Sequence, residues 1–148
     1  MAEQQTPQAE TGPRPILPVL KLQPKPHLVA SKCGNCGALF FDVKRMACSK
    51  CGTAGNFSQV PLSDKGTVWV FSVIHQSFPG IKTPYVTAIV DLPDGVSVKS
   101  NLVDVDPEEL EKNPQKGFGM PVELVVNQVA TDRQGNAVMA FQFRPSKN

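Results

Sequence analysis

A mainly β chain with a metal-held N-terminal arm is what the sequence predicts, and three observations carry it. Four cysteines stand in two CxxCG pairs, Cys33/Cys36 and Cys48/Cys51. From Gly66 to Phe143, short runs of β-branched and aromatic residues alternate with turn sequences. Helix signals gather in a single short stretch, Asp106 to Lys112. A length of 148 residues gives room for one compact domain or two small ones and excludes a large multi-domain enzyme. With 41% apolar and 19% charged residues, the bulk of the chain is globular in composition.

The N-terminal segment comes first. Six of the fourteen prolines fall in the first 26 residues: Pro7, Pro13, Pro15, Pro18, Pro24 and Pro26. Proline removes amide donors and blocks helix continuation, so residues 1–30 read as an extended tail. Its apolar patch, Ile16, Leu17, Val19, Leu20 and Leu22, is suited to lie as a strap along another surface; a disordered leader is the alternative. Residues 31–60 follow as a cysteine arm. Residues 32–57 hold all four cysteines and four glycines and little that builds a core, so something other than hydrophobic burial has to hold them.

Residues 61–148 carry the strands. Thr67–His75 (TVWVFSVIH), Pro84–Leu92 (PYVTAIVDL) and Val96–Val103 (VSVKSNLV) read as a meander, with Pro93, Asp94 and Gly95 supplying turn chemistry. Asp106 is an N-cap, Pro107 the first helical residue, and Glu108 and Glu109 the acidic first turn of a short helix. Met120–Ala130 and Ala137–Phe143 complete five strands around the turn Asp132–Asn136. Three strands, one helix and two strands is the order of an OB-fold, a five-stranded Greek-key barrel; a small open sandwich is the alternative.

Several of these strands are apolar on both sides. Strict alternation would send Val68, Val70 and Ile74 to one face of the first strand and Trp69, Phe71 and Val73 to the other. In the fourth strand, Leu124 and Val126 oppose Val125 and Val129. A small barrel buries its inner face only, so the second face needs the cysteine arm, the tail or another protein as cover.

The cysteine pairs carry the strongest chemical signal. In each, a two-residue gap turns both sulfurs toward one point, and the following glycine lets the backbone curl so that amides reach the thiolates. Together Cys33, Cys36, Cys48 and Cys51 offer the tetrahedral S4 shell that zinc prefers, with iron as the alternative ion for the same ligands. Disulfides and a redox CxxC are disfavoured: no secretory signal or βαβ unit accompanies them. Four protein thiolates leave no open coordination position, so one Zn2+ per chain is expected to be structural.

Little else reads as chemistry. No GxSxG, HExxH, Walker loop or GxGxxG occurs, and no catalytic residue is assigned. His27 lies in the proline-rich segment. His75 ends the first strand and is the single base placed near a loop, without an evident nucleophile, so a free-standing enzyme built on it is the weakest hypothesis. The loop Gln76–Thr83 joins strands one and two, where OB-folds commonly meet ligands; Phe78 and Ile81 offer an apolar anchor and Lys82 a phosphate-directed charge. Both OB-folds and ribbons also serve single-stranded nucleic acid. Residues 66–148, however, carry seven basic against nine acidic residues, contrary to a basic groove. No apolar run approaches a membrane span, and a soluble, cytoplasmic protein is expected.

A cysteine ribbon followed at once by Gly66–His75, Pro84–Leu92 and a turn ending in Gly95 resembles the zinc-ribbon/OB-fold family associated with acyl-CoA enzymes, over about residues 30–145. Members of that family accompany thiolases and hydroxymethylglutaryl-CoA synthase-like enzymes, and in fused or paired form acyl-CoA hydratases and retro-aldolases. The resemblance implies a non-catalytic subunit docked on a thiolase-fold partner in a hetero-oligomer, organising the complex and shaping the acyl-CoA entrance. The partner reaction would be thiolytic C–C cleavage in a β-oxidation-like pathway, and by size the chain is similar to a free-standing small subunit from anaerobic aromatic degradation, such as the benzylsuccinate pathway. Phe78 and Lys82 would then lie in the vicinity of the coenzyme A ester. Two departures from the family pattern stand out: Phe41–Ala47 replaces a Pro-Pro-Arg-like stretch before the second knuckle, and the proline-rich tail replaces an amphipathic helix.

Overall fold

Proline-rich sequence need not be loose when its apolar residues find a surface, and here they do. The computed structural model describes residues 12–146. The first eleven residues of the expected tail, with Pro7, lie outside the described residues, as do Lys147 and Asn148. Strand β1 (Arg14–Pro15) runs parallel to the last strand of the chain, pairing Arg14 with Val138 and Pro15 with Met139. Strand β2 (Leu20–Lys21) pairs antiparallel with β3 (His27–Cys33), and Val19, Leu20, Leu28, Val29 and Ala30 are buried. From Gly12 onward the segment is therefore a packed strap; the disordered alternative does not hold for the described part.

Strand β3 also forms the base of the cysteine arm. It pairs with β4 (Leu39–Phe40) on one side and β5 (Phe57–Pro61) on the other. The arm is richer in core contacts than its composition suggests. Leu39, Phe41 and Val43 pack against the same core cluster as the barrel, and the Phe41 ring meets Phe141 edge-on at 6.0 Å. Burial therefore contributes to holding the arm, because three apolar side chains in a small hairpin suffice to seat it on a neighbour.

The remaining strands are β6 (Lys65–Ile74), β7 (Tyr85–Asp91), β8 (Ser97–Leu102), β9 (Pro121–Thr131) and β10 (Ala137–Pro145), with helix α1 (Pro107–Lys112) between β8 and β9. Hydrogen bonding runs β6–β7–β8–β10–β9 and returns to β6 through Lys65–Glu123, Gly66–Val122 and Thr67–Pro121. The β8–β10 contact is parallel and the others are antiparallel. This closure is the OB barrel; the open sandwich is excluded. Val68, Val86, Val90, Val98, Val122 and Phe143 fill its interior at 0–1% exposure. At about 1.5–3 kcal/mol for each fully buried aliphatic or aromatic side chain, this interior dominates the fold's stability. Helix α1 begins as its sequence dictates: Asp106 Oδ1 accepts from the amides of Glu108 and Glu109, and Leu110 inserts into the core.

Alternation fails at two bulges. In β6, Val68 opposes Val90 and Val70 opposes Ile89, leaving Trp69 as an extra residue. Facing directions invert beyond it. Val68 points inward with Phe71 and Val73, while Val70 points outward, so the expected grouping of Val68 with Val70 and Ile74 is corrected. In β9, Val138 pairs with Ala130 and Met139 with Gln128, which makes Val129 the extra residue. Each bulge thus presents a large apolar side chain to solvent: Trp69 is 59% exposed and Val129 46%.

Candidate functional site

Each cysteine knuckle closes by the same pair of backbone bonds. The Cys33 amide donates to Ala38 and the Gly37 amide donates back to Cys33; the Cys48 amide donates to Thr53 and the Gly52 amide to Cys48. Gly37 and Gly52 hold φ of +74° and +79°, where a side chain is strained, so the glycine after each second cysteine is a backbone requirement. The isolated bridge Ala47–Ala54 closes the second knuckle as the β3–β4 hairpin closes the first.

The four Sγ atoms lie within 4.8 Å of one another. Cys33 and Cys51 are 3.7 Å apart, and Cys36 and Cys48 are 3.6 Å apart, so each close pair joins the two knuckles. A tetrahedral centre with metal–sulfur bonds of about 2.3 Å needs sulfurs about 3.8 Å apart, and this donor set fits zinc. The surroundings favour thiolate at Cys51 and Cys48. The Asn35 side-chain amide, 3.4 Å from Cys51 Sγ, together with the side chain and backbone of Thr53 pulls the Cys51 thiol down to about 5. The Cys51 and Lys50 amides lower Cys48 despite its burial. At Cys36 the Ala38 amide also lowers the thiol, but burial and the three neighbouring thiols outweigh it and push the group up to about 11. Crowded sulfurs cannot all ionise without a cation among them, and a divalent ion removes that conflict. Bound there, zinc supplies a fixed four-way crosslink between the knuckles.

The other expected residues are spread out. His75 Nε2 sits 2.6 Å from Glu111 Oε1, tying the end of β6 to α1 in an exposed pair. His27 Nδ1 contacts the Lys25 carbonyl at 2.6 Å. Phe78 is 80% exposed at the tip of the β6–β7 loop, and Lys82 is exposed beside it. Ile81 lies nearer the barrel, at the rim of a groove of about 620 Å³ that crosses β8 and β10. Ile16, Leu17 and Val129 line the same groove, and Lys99 is its single charged lining residue. Across Lys99 a second hollow of about 320 Å³ continues over Val70 and Ile89.

An uncovered apolar face was expected from the sequence, but its location was not, for a physical reason: bulges put Val70 and Val129 on it, and strap pairing with β10 brings Ile16 and Leu17 to it. The tail covers part of the barrel through Val19 and Leu20, while the outer face around the groove stays open. Among the described residues no helix is long and apolar enough to cross a membrane.

Two family models match the chain. One is the rubredoxin-like zinc ribbon domain of ChsH2, over residues 24–57, and the other is the C-terminal OB-fold domain of ChsH2, over residues 59–127. A DUF35 domain-containing scaffold protein of Methanocaldococcus jannaschii is 32% identical over 124 residues, covering 82% of this chain and 83% of that one. The benzoylsuccinyl-CoA thiolase subunit BbsA of Geobacter metallireducens is 32% identical over 130 residues, covering 87% and 82%. Among solved structures, the Ltp2–ChsH2(DUF35) aldolase matches with a TM-score of 0.60 at 29% identity, covering 80% of this chain and 84% of that chain.

Proposed function

The chain belongs to the ChsH2-type (DUF35) family of zinc-ribbon/OB-fold proteins, and from that membership we propose that it is a non-catalytic subunit of an acyl-CoA-processing thiolase complex. It docks on a thiolase-fold partner, holds the assembly together and helps to form the acyl-CoA entrance. One observation carries this reading: the match to a thiolase subunit runs through both the ribbon and the barrel, over 82% of that subunit's length. The partner would cleave a C–C bond thiolytically, with aromatic degradation as a candidate pathway; the benzoyl-bearing substrate in the relative's name supports this reading. An aldolase partner is the second reading, favoured by the structural match to the Ltp2–ChsH2 aldolase.

The roles divide by region. One structural zinc ion on Cys33, Cys36, Cys48 and Cys51 fixes the ribbon, and the reduced thiolates suit a reducing compartment such as the cytoplasm. The β6–β7 loop meets the coenzyme A ester within the complex, with Phe78 as the apolar contact and Lys82 facing its phosphates; the exposure of both residues supports this.

Affinity purification of the full chain from its native host tests the proposal, with partners identified by mass spectrometry. A stoichiometric thiolase-fold chain is expected, and the chain alone turns over no acyl-CoA. A stable monomer that leaves acyl-CoA cleavage by that thiolase unchanged would overturn the reading, and an aldolase in its place would select the second one.

A further inference from the structure

The outer face of the barrel holds more apolar surface than scatter accounts for. Nine large hydrophobic side chains are exposed among the described residues, and five of them line the two adjoining hollows: Ile16, Leu17, Val70, Ile81 and Val129. Lys99 stands between the hollows, lines both, and makes no ion pair among the described residues. No carboxylate lines either hollow. An apolar channel around one unmatched ammonium is complementary to an apolar segment that carries an acidic side chain.

Two other occupants fit less well. Residues 1–11 of this chain contain no Leu, Ile, Val or aromatic residue with which to fill the groove. In a second copy related by a two-fold axis through this face, Lys99 would oppose Lys99, and like charges in an interface are costly.

Resting on the proposed subunit role, we propose that this groove is the seat of the thiolase-fold partner. It receives an apolar segment of that partner whose carboxylate pairs with Lys99. Strap residues Ile16 and Leu17 form one wall, so the proline-rich segment takes part in the interface instead of merely leading up to it.

Binding of the zinc-loaded full chain to the co-purified thiolase-fold protein, measured by titration calorimetry, tests the assignment. Ile81→Asp and Val129→Asp are expected to weaken binding by at least about tenfold, as is Lys99→Glu, because truncating or reversing central contacts dominates interface energetics. Met46→Asp, at a ribbon position 88% exposed and outside the groove, is expected to stay within about twofold of the parent. Zinc content and circular dichroism establish that each variant is folded. Should Val129→Asp disturb the β9 bulge, the loop variant Ile81→Asp and the surface variant Lys99→Glu decide. Parent-like affinity in both would overturn the groove assignment while leaving the subunit role intact. Failure of the parent chain to bind any thiolase-fold protein would remove that role and the assignment with it. A homodimer abolished by Val129→Asp would assign the groove to a second copy instead.

Discussion

At the residue scale, the sharpest demands fall on glycine and cysteine. Gly117 is buried with its Cα against Phe71: a β-carbon built there would lie 2.3 Å from Phe71 Cε1. Gly117→Ala is therefore expected to destabilise the chain by about 1–3 kcal/mol, the usual range for overpacking a filled core, measured by urea denaturation. Gly119, two residues on, has open space around its missing side chain but a φ of +75°, so strain rather than clash opposes substitution there. The cysteines act as a set. Replacing Cys48 with Ser should abolish stoichiometric zinc and speed amide exchange at Gly37 and Gly52, whose bonds close the two knuckles. The barrel strands should stay protected, because their interior is filled without the metal. Zinc release on acidification has a definite sign: the ligands bind as thiolates, so protons compete with the ion and affinity falls as pH falls. The convergence of the four cysteines was legible in the sequence because CxxCG spacing is dictated by local backbone geometry. Asn35 and Thr53, which lower the Cys51 thiol, carried no comparable signal.

At the scale of elements, the strap and the bulges matter most. Strand β1 is two residues long, yet it is pinned at several points. The Ile16 amide donates to the Met139 carbonyl at 2.8 Å, Arg14 Nε donates to Asp132 Oδ2 at 2.8 Å, and the Gly12 amide donates to Asn136 Oδ1. Asp132 also caps its own turn, accepting from the amides of Gln134 and Asn136. The Asn136 amide, followed by Arg14 and the Gln134 amide, outweighs desolvation and holds the carboxyl below its ordinary range. Its pKa in the folded chain is thus below the unfolded value of about 3.9, so the stabilisation is complete above that value and is lost as pH falls through the folded pKa. Exchange of the Ile16 amide is expected to accelerate below about pH 4, and in Asp132→Asn to be fast already at neutral pH. Unchanged exchange in that variant would detach the strap from the turn. The helix cap and all five barrel strands were readable from period and turn chemistry, with ends displaced by one or two residues. The bulges at Trp69 and Val129 were not, since an inserted residue is set by long-range pairing and resets an alternation that sequence can only extend.

For the molecule as a whole, ribbon, strap and barrel share one contiguous core. Leu20, Leu28, Ala30 and Leu62 belong to the same buried cluster as Val90, Val98 and Phe143. The zinc crosslink therefore acts on a hairpin that is already seated, and its removal should loosen the knuckles while leaving this shared core intact. The outer apolar face was anticipated from strands oily on both sides. Its location was not, because it depends on where the strap crosses β10 and on which residues the bulges turn outward. What the fold presents is a closed sulfur site, a filled barrel and an open apolar groove, an arrangement suited to adhesion. The most direct test is the mass of the species formed when the purified zinc-loaded chain is mixed with the proposed thiolase-fold partner, read by light scattering during gel filtration. A single hetero-oligomer with both chains in fixed ratio is the predicted result. Separate elution of the two chains at their own masses would contradict it.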